Sequence, residues 1–147
     1  PIILKGDYGI VKFKWGHTVG VGIVLGYNST SIKYTDTYHD NKGKINTYTE
    51  THNYSTMTVG ARGTYHFFTK EKIDCYASIG LGLNFNKISR TGFNPSQGYP
   101  FYQNQRSVLY SAFTVGIRYY FTKNFGVYSE LGWDNSTPVQ GGIALKF

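Results

Sequence analysis

Four histidines, His17, His39, His52 and His66, are the side chains of this chain best suited to move a proton near neutral pH. His39 and His52 flank a polar stretch that also carries Asp36, Asp40, Glu50 and Ser55. Within it, the segment THNYST at 51–56 supplies the residue types of a lipid hydrolase or acyltransferase. Such an enzyme needs a serine, a histidine and a carboxylate within hydrogen-bond reach of one another, and no known motif orders them here. Asp36, His39 and Asp40 could meet on a loop, but their spacing repeats neither an EF-hand nor a zinc site. His66 and Asp74 could form a proton relay, although a satisfied structural histidine is the plainer reading. The single cysteine, Cys75, excludes an intrachain disulfide and any multi-cysteine metal centre. The expectation is therefore a protein that is not an enzyme and carries no cofactor or metal, with a lipid-modifying enzyme as the alternative and a narrow pore behind it.

Charge points away from nucleic acid as a partner. The formal net charge is +7, yet the fifteen Lys and Arg are dispersed, with Lys12, Lys14, Lys70, Lys72 and Lys123 in short turns. A nucleic-acid reader gathers basic residues on one face among stacking aromatics. Composition is rich in strand formers and turn formers, with 18 Gly, 14 Tyr and 10 Phe. The 147 residues show no linker or compositional break, so a single domain over 1–147 is expected. The chain opens on Pro1 without a signal segment, which reads as a processed or partial chain. Mean hydropathy is −0.34 and no run of eighteen apolar residues exists, so a membrane-spanning helix is not encoded. Barrel strands escape that test because their hydropathy averages out along an alternating pattern.

Alternation with period two is the dominant signal. In 109–121, Leu109, Phe113, Val115, Ile117, Tyr119 and Phe121 share one face, while Tyr110, Ala112, Thr114, Gly116, Arg118 and Tyr120 share the other. Similar alternation marks strands near 2–10, 19–27, 57–67, 73–85, 125–133 and 139–147, seven in all. Short turns near 12–17, 69–72 and 122–124 alternate with longer excursions at 32–53, 89–106 and 134–138. Asn41-Lys42-Gly43 is a hairpin signal, so the strands around it are expected to continue as a polar ribbon. The layout predicts an all-β, up-and-down antiparallel barrel.

Three features orient it as a transmembrane barrel with the apolar face outward. The polar face is rich in Gly, Thr, Ser and Asn, which suits a narrow filled interior. Aromatics gather at strand ends, where amphipathic rings form interfacial girdles: Trp15, Tyr65, Phe67, Tyr119, Phe121 and Phe125 by the short turns, and Trp133 at the opposite end. The strands also reach the ~9–11 residues that a tilted crossing requires. Lys5, Asp7, Arg62, Asp74, Arg118, Glu130 and Lys146 fall on the inner face. Arg118, Glu130 and Lys146 stand on successive strands and are expected to pair, plugging the interior rather than leaving a pore.

The segment FTKNFGVYSELGW and the ending GGIALKF, with Ile143, Leu145 and terminal Phe147, carry a resemblance. The chain resembles the small eight-stranded outer-membrane barrels of the OmpA/OmpX type, and most of all the outer-membrane β-barrel domain of Bacteroidota. The resemblance implies a bacterial outer-membrane location with periplasmic termini and extracellular long loops. It also implies contact with outer-membrane lipids and lipopolysaccharide, and recognition of the C-terminal residues by the barrel-assembly machinery. Such barrels have an even number of strands, so an eighth strand preceding Pro1 is expected. The implied role is a structural or accessory subunit beside other outer-membrane proteins, or a surface adhesion protein. Phe93, Tyr99, Phe101 and Tyr102 in the second excursion are the candidate interaction surface.

Overall fold

The computed structural model describes residues 1–39, 44–91, 101–134 and 137–146, without the side chains of 38, 46, 48 and 101–103. Seven strands form one antiparallel, up-and-down sheet in chain order, and there is no helix among the described residues. They are β1 (Ile2–Lys12), β2 (Thr18–His39), β3 (Ile45–Thr69), β4 (Ile73–Thr91), β5 (Phe101–Tyr120), β6 (Phe125–Asp134) and β7 (Val139–Leu145). The strand count and the face assignments agree with the alternation. The strands themselves are longer than the apolar pattern alone indicates, because backbone pairing continues into 32–39, 45–53 and 101–106. Asp40, Asn41, Lys42 and Gly43 lie outside the described residues, as do Phe93, Tyr99 and Phe147.

The contacts divide the chain into two compact units. The first comprises 1–2, 26–57 and 84–108. Its β2–β3 part is a polar ribbon: Ser31 Oγ donates to Asn53 Oδ1 at 2.6 Å, and Tyr34 meets the His52 ring edge-on at 5.1 Å. The second unit comprises 3–25, 58–83 and 109–147, and it draws on all seven strands. Here the sheet curls into a partial barrel wall. Lys5 of β1 reaches inward to Glu130 of β6 and Gln140 of β7, although β1 and β7 are the two ends of the sheet.

Short turns follow from local chemistry. Gly16 takes a positive φ of 84°, which a side chain would resist, and this closes the turn with Gly16 N–H donating to Phe13 O at 3.1 Å. In the turn after β5, Thr122 Oγ1 accepts from Phe125 N–H at 3.1 Å, and Asn124 exchanges bonds with the backbone of Lys146. The look-alike threonine of the β3–β4 turn acts differently: Thr69 Oγ1 donates to the Asp74 carboxylate at 3.1 Å. Phe68-Thr69-Lys70 and Phe121-Thr122-Lys123 are thus matched in sequence and distinct in bonding.

The polarity of the second unit is inverted relative to an ordinary core. Large apolar side chains stand exposed on one face, among them Ile23, Leu81, Phe113, Ile117, Leu131 and Ile143. The buried face holds Arg62, Thr64, Asp74, Ser78, Thr114, Glu130, Asp134 and Gln140.

Candidate functional site: the interior charge network

The buried polar groups of the second unit form one connected system. Register places Glu130 of β6 opposite Gly116 of β5 and Gln140 of β7. A side chain on Gly116 would stand 2.5 Å from Tyr76 Cζ, so the missing Cβ is what lets the Tyr76 ring cross the interior. Tyr76 is fully buried and donates to Glu130 Oε1 at 2.7 Å. Arg62 contacts the same oxygen at 3.2 Å with both terminal nitrogens, while Lys5 Nζ and Thr114 Oγ1 take Oε2. With only 1% of its side chain exposed, Glu130 has exchanged water for four protein partners.

One step toward the short turns lies a second cluster. Asp7 of β1 receives Arg118 on Oδ2 and faces Arg62 Nε across 3.2 Å on Oδ1. That last contact is an ion pair too poorly aligned to count as a hydrogen bond. Arg118 also meets Asp74 Oδ2 at 3.4 Å, and its guanidinium carbon lies 4.2 Å from the Tyr76 ring centroid. Asp74 in turn bonds His66 Nδ1 at 2.8 Å. Toward the other end, Tyr110 Oη and Gln140 Nε2 both donate to Asp134 Oδ2, at 3.0 and 2.8 Å.

Six of the seven residues expected in this network therefore meet: Lys5, Asp7, Arg62, Asp74, Arg118 and Glu130. Their pairing differs from simple strand order. Arg118 binds Asp7 and Asp74, whereas Glu130 binds Arg62 and Lys5, because Arg118 registers with Tyr128 rather than with Glu130. Lys146 stands exposed at the short-turn end, with its ammonium 5.6 Å from the Tyr120 ring. Among these six, three cations match three carboxylates, and Asp134 adds a fourth buried carboxylate held by Tyr110 and Gln140. Tyr76, Tyr110 and Gln140 also belong to the site. The signal for them was their place on a face otherwise built of small residues.

The aromatic girdle residues are all solvent-facing, from Tyr119 at 41% exposed to Trp15 at 89%. Tyr119, Phe121 and Phe125 touch one another at centroid distances of 5.3 and 6.3 Å, and Tyr65 Oη bonds His17 Nδ1 at 2.6 Å. Ile143 and Leu145 point outward from β7. Phe101 and Tyr102 open β5, but their side chains lie outside the description.

The chemistry available is limited. His66 and Asp74 form the base half of a hydrolytic triad, and a cavity of about 500 Å³ adjoins them. Its lining has no serine or cysteine; its threonines are Thr18 and Thr69, and Thr69 donates to Asp74. His52 pairs with Glu50 at 2.9 Å, while Ser55, an odd number of residues away on one strand, projects from the opposite face. No group of three metal-ligating side chains occurs among the described residues. The arrangement is a densely paired polar core. No family model, curated protein or solved structure matches the chain.

Proposed function

We propose that the chain is the wall of a non-enzymatic, eight-stranded outer-membrane barrel with a plugged interior, serving as an accessory subunit of an outer-membrane assembly. The observation that carries this reading is the inverted polarity: a buried, charge-paired interior behind a wall of exposed Ile, Leu, Val and Phe. Apolar area left in water costs about 25 cal/mol per Å², so such a wall needs a nonaqueous surrounding. A closed barrel of alternating strands, with every backbone group paired, is one of only two ways to cross hydrocarbon. Exposed Trp15 and Trp133 near opposite strand ends fit two interfacial belts. In this reading outer-membrane lipids and lipopolysaccharide cover the wall, and barrel-assembly machinery inserts it.

The interior supports a scaffold rather than a channel or catalyst, since ion pairs fill the level where a pore would run. The test is reconstitution into lipid vesicles, followed by gel migration with and without boiling and by planar-bilayer recording. Heat-modifiable migration without conductance is expected. A chain that remains in the aqueous phase and migrates identically before and after boiling rules the reading out. Gentle extraction from native membrane then separates the roles: co-purification at fixed stoichiometry marks an accessory subunit, and a lone monomer rejects that role.

A further inference from the structure

β1 and β7 end the sheet, and both are odd-numbered in an up-and-down series, so they run in the same direction. Direct pairing between them would be parallel, unlike every other pair in the sheet. The gap is nonetheless narrow. Lys5 Nζ bridges it to Glu130 and Gln140, and these side chains extend only ~5–6 Å from their Cα atoms by standard bond lengths. A separation of two strand spacings, ~9.6 Å, fits that reach and admits one strand between the edges. A cavity of about 330 Å³ lies between Leu4, Lys5 and Asp7 of β1 and Ile143, Ala144 and Leu145 of β7, and reaches inward to Arg62 and Glu130.

We propose that the seam between β1 and β7 is an acceptor for a single extended peptide strand, antiparallel to both edges and amphipathic in a defined sense. Its direction follows from β1: the strand enters at the short-turn end and leaves beside the start of β1. Its outward residues are apolar, because Leu4, Tyr8, Ile143 and Leu145 continue the exposed apolar face on both banks. Its inward residues are small and uncharged. Behind the seam Lys5, Arg62 and Arg118 are already matched by Glu130, Asp7 and Asp74, and a bulky inward side chain would displace Lys5 from Glu130. Backbone hydrogen bonds to both edges supply affinity, as in other strand additions. The inference rests on the barrel reading and deepens it by giving the closing strand a direction and a chemistry.

The test uses the 147-residue chain in detergent micelles, with Cys75→Ser and either Leu4→Cys or Tyr8→Cys. The probe is a ten-residue peptide alternating Leu or Val with Gly, Ser or Thr, carrying an outward cysteine near one end. A cysteine near the peptide N-terminus is expected to form a disulfide with Tyr8→Cys and at least tenfold less with Leu4→Cys; a C-terminal cysteine reverses the preference. Lys at two inward positions should weaken capture at least tenfold. Equal capture of a peptide with shuffled alternation, the opposite end preference, or no capture overturns the proposal. So does a disulfide dimer through Tyr8→Cys that excludes the peptide, which would assign the edge to a second copy. Vesicle insertion is scored separately. Insertion without capture rejects the acceptor alone, and capture in micelles without insertion rejects only the membrane reading.

Discussion

Glu130 shows how much one side chain can organise. Its carboxylate answers two cations and two hydroxyls from four other strands, and only 1% of its side-chain area is exposed. Removing one partner of a buried ion pair costs about 3–5 kcal/mol because the other charge is left uncompensated. Glu130→Ala should therefore lower unfolding stability in detergent by roughly that amount, measured by urea titration, without producing bilayer conductance. Lys146→Ala is the contrast: an exposed lysine whose ammonium faces the Tyr120 ring should change stability by less than about 0.5 kcal/mol. Gly116→Ala tests the packing beside Glu130, since the new methyl would lie 2.5 Å from Tyr76 Cζ. A loss of about 1–3 kcal/mol is expected from overpacking. Adding Tyr76→Ser should recover less from Glu130 than it relieves at Gly116, a coupling that a double-mutant cycle reads directly.

At the scale of the strand, the outer faces offer a cleaner experiment than the inner. Val115 and Thr114 are neighbours on β5, one 47% exposed and outward, the other buried and bonded to Glu130 and Ser78. If the wall faces hydrocarbon, Val115→Arg should cost about 2–4 kcal/mol of insertion free energy in vesicles. A loss below about 0.5 kcal/mol would mean that Val115 faces water instead. This face assignment was legible in the sequence because alternation is local: each residue's side follows from its neighbour's. Pairing inside the wall was not. That Glu130 faces Gly116 and that Arg118 turns to Asp7 depend on strand stagger and curl, which period two leaves undetermined. Lys146 looked equivalent to Arg118 by parity alone, yet its place beyond β7 leaves it at the rim. The strand extensions past the apolar pattern were hidden for a related reason, since backbone pairing persists where neither face needs to be dry.

For the molecule as a whole, the decisive contacts are remote in sequence. Lys5 and Glu130 are separated by 125 positions, and Asp7 and Arg118 by 111. Hairpin turns such as the one at Gly16 can close early, but the ion cluster cannot assemble until the first strand and the sixth have been brought face to face. Contacts of such long range slow folding, because loop entropy is lost before they form. The expectation is that the interior pairs form late, on the native side of the rate-limiting barrier. Glu130→Gln should accordingly accelerate unfolding by most of its equilibrium effect and leave the refolding rate close to that of the parent chain, as stopped-flow or slow-mixing fluorescence of Trp15 and Trp133 would record. The lysine that bridges the seam is then a latch in time as well as in space: it sets how long the finished wall stays shut.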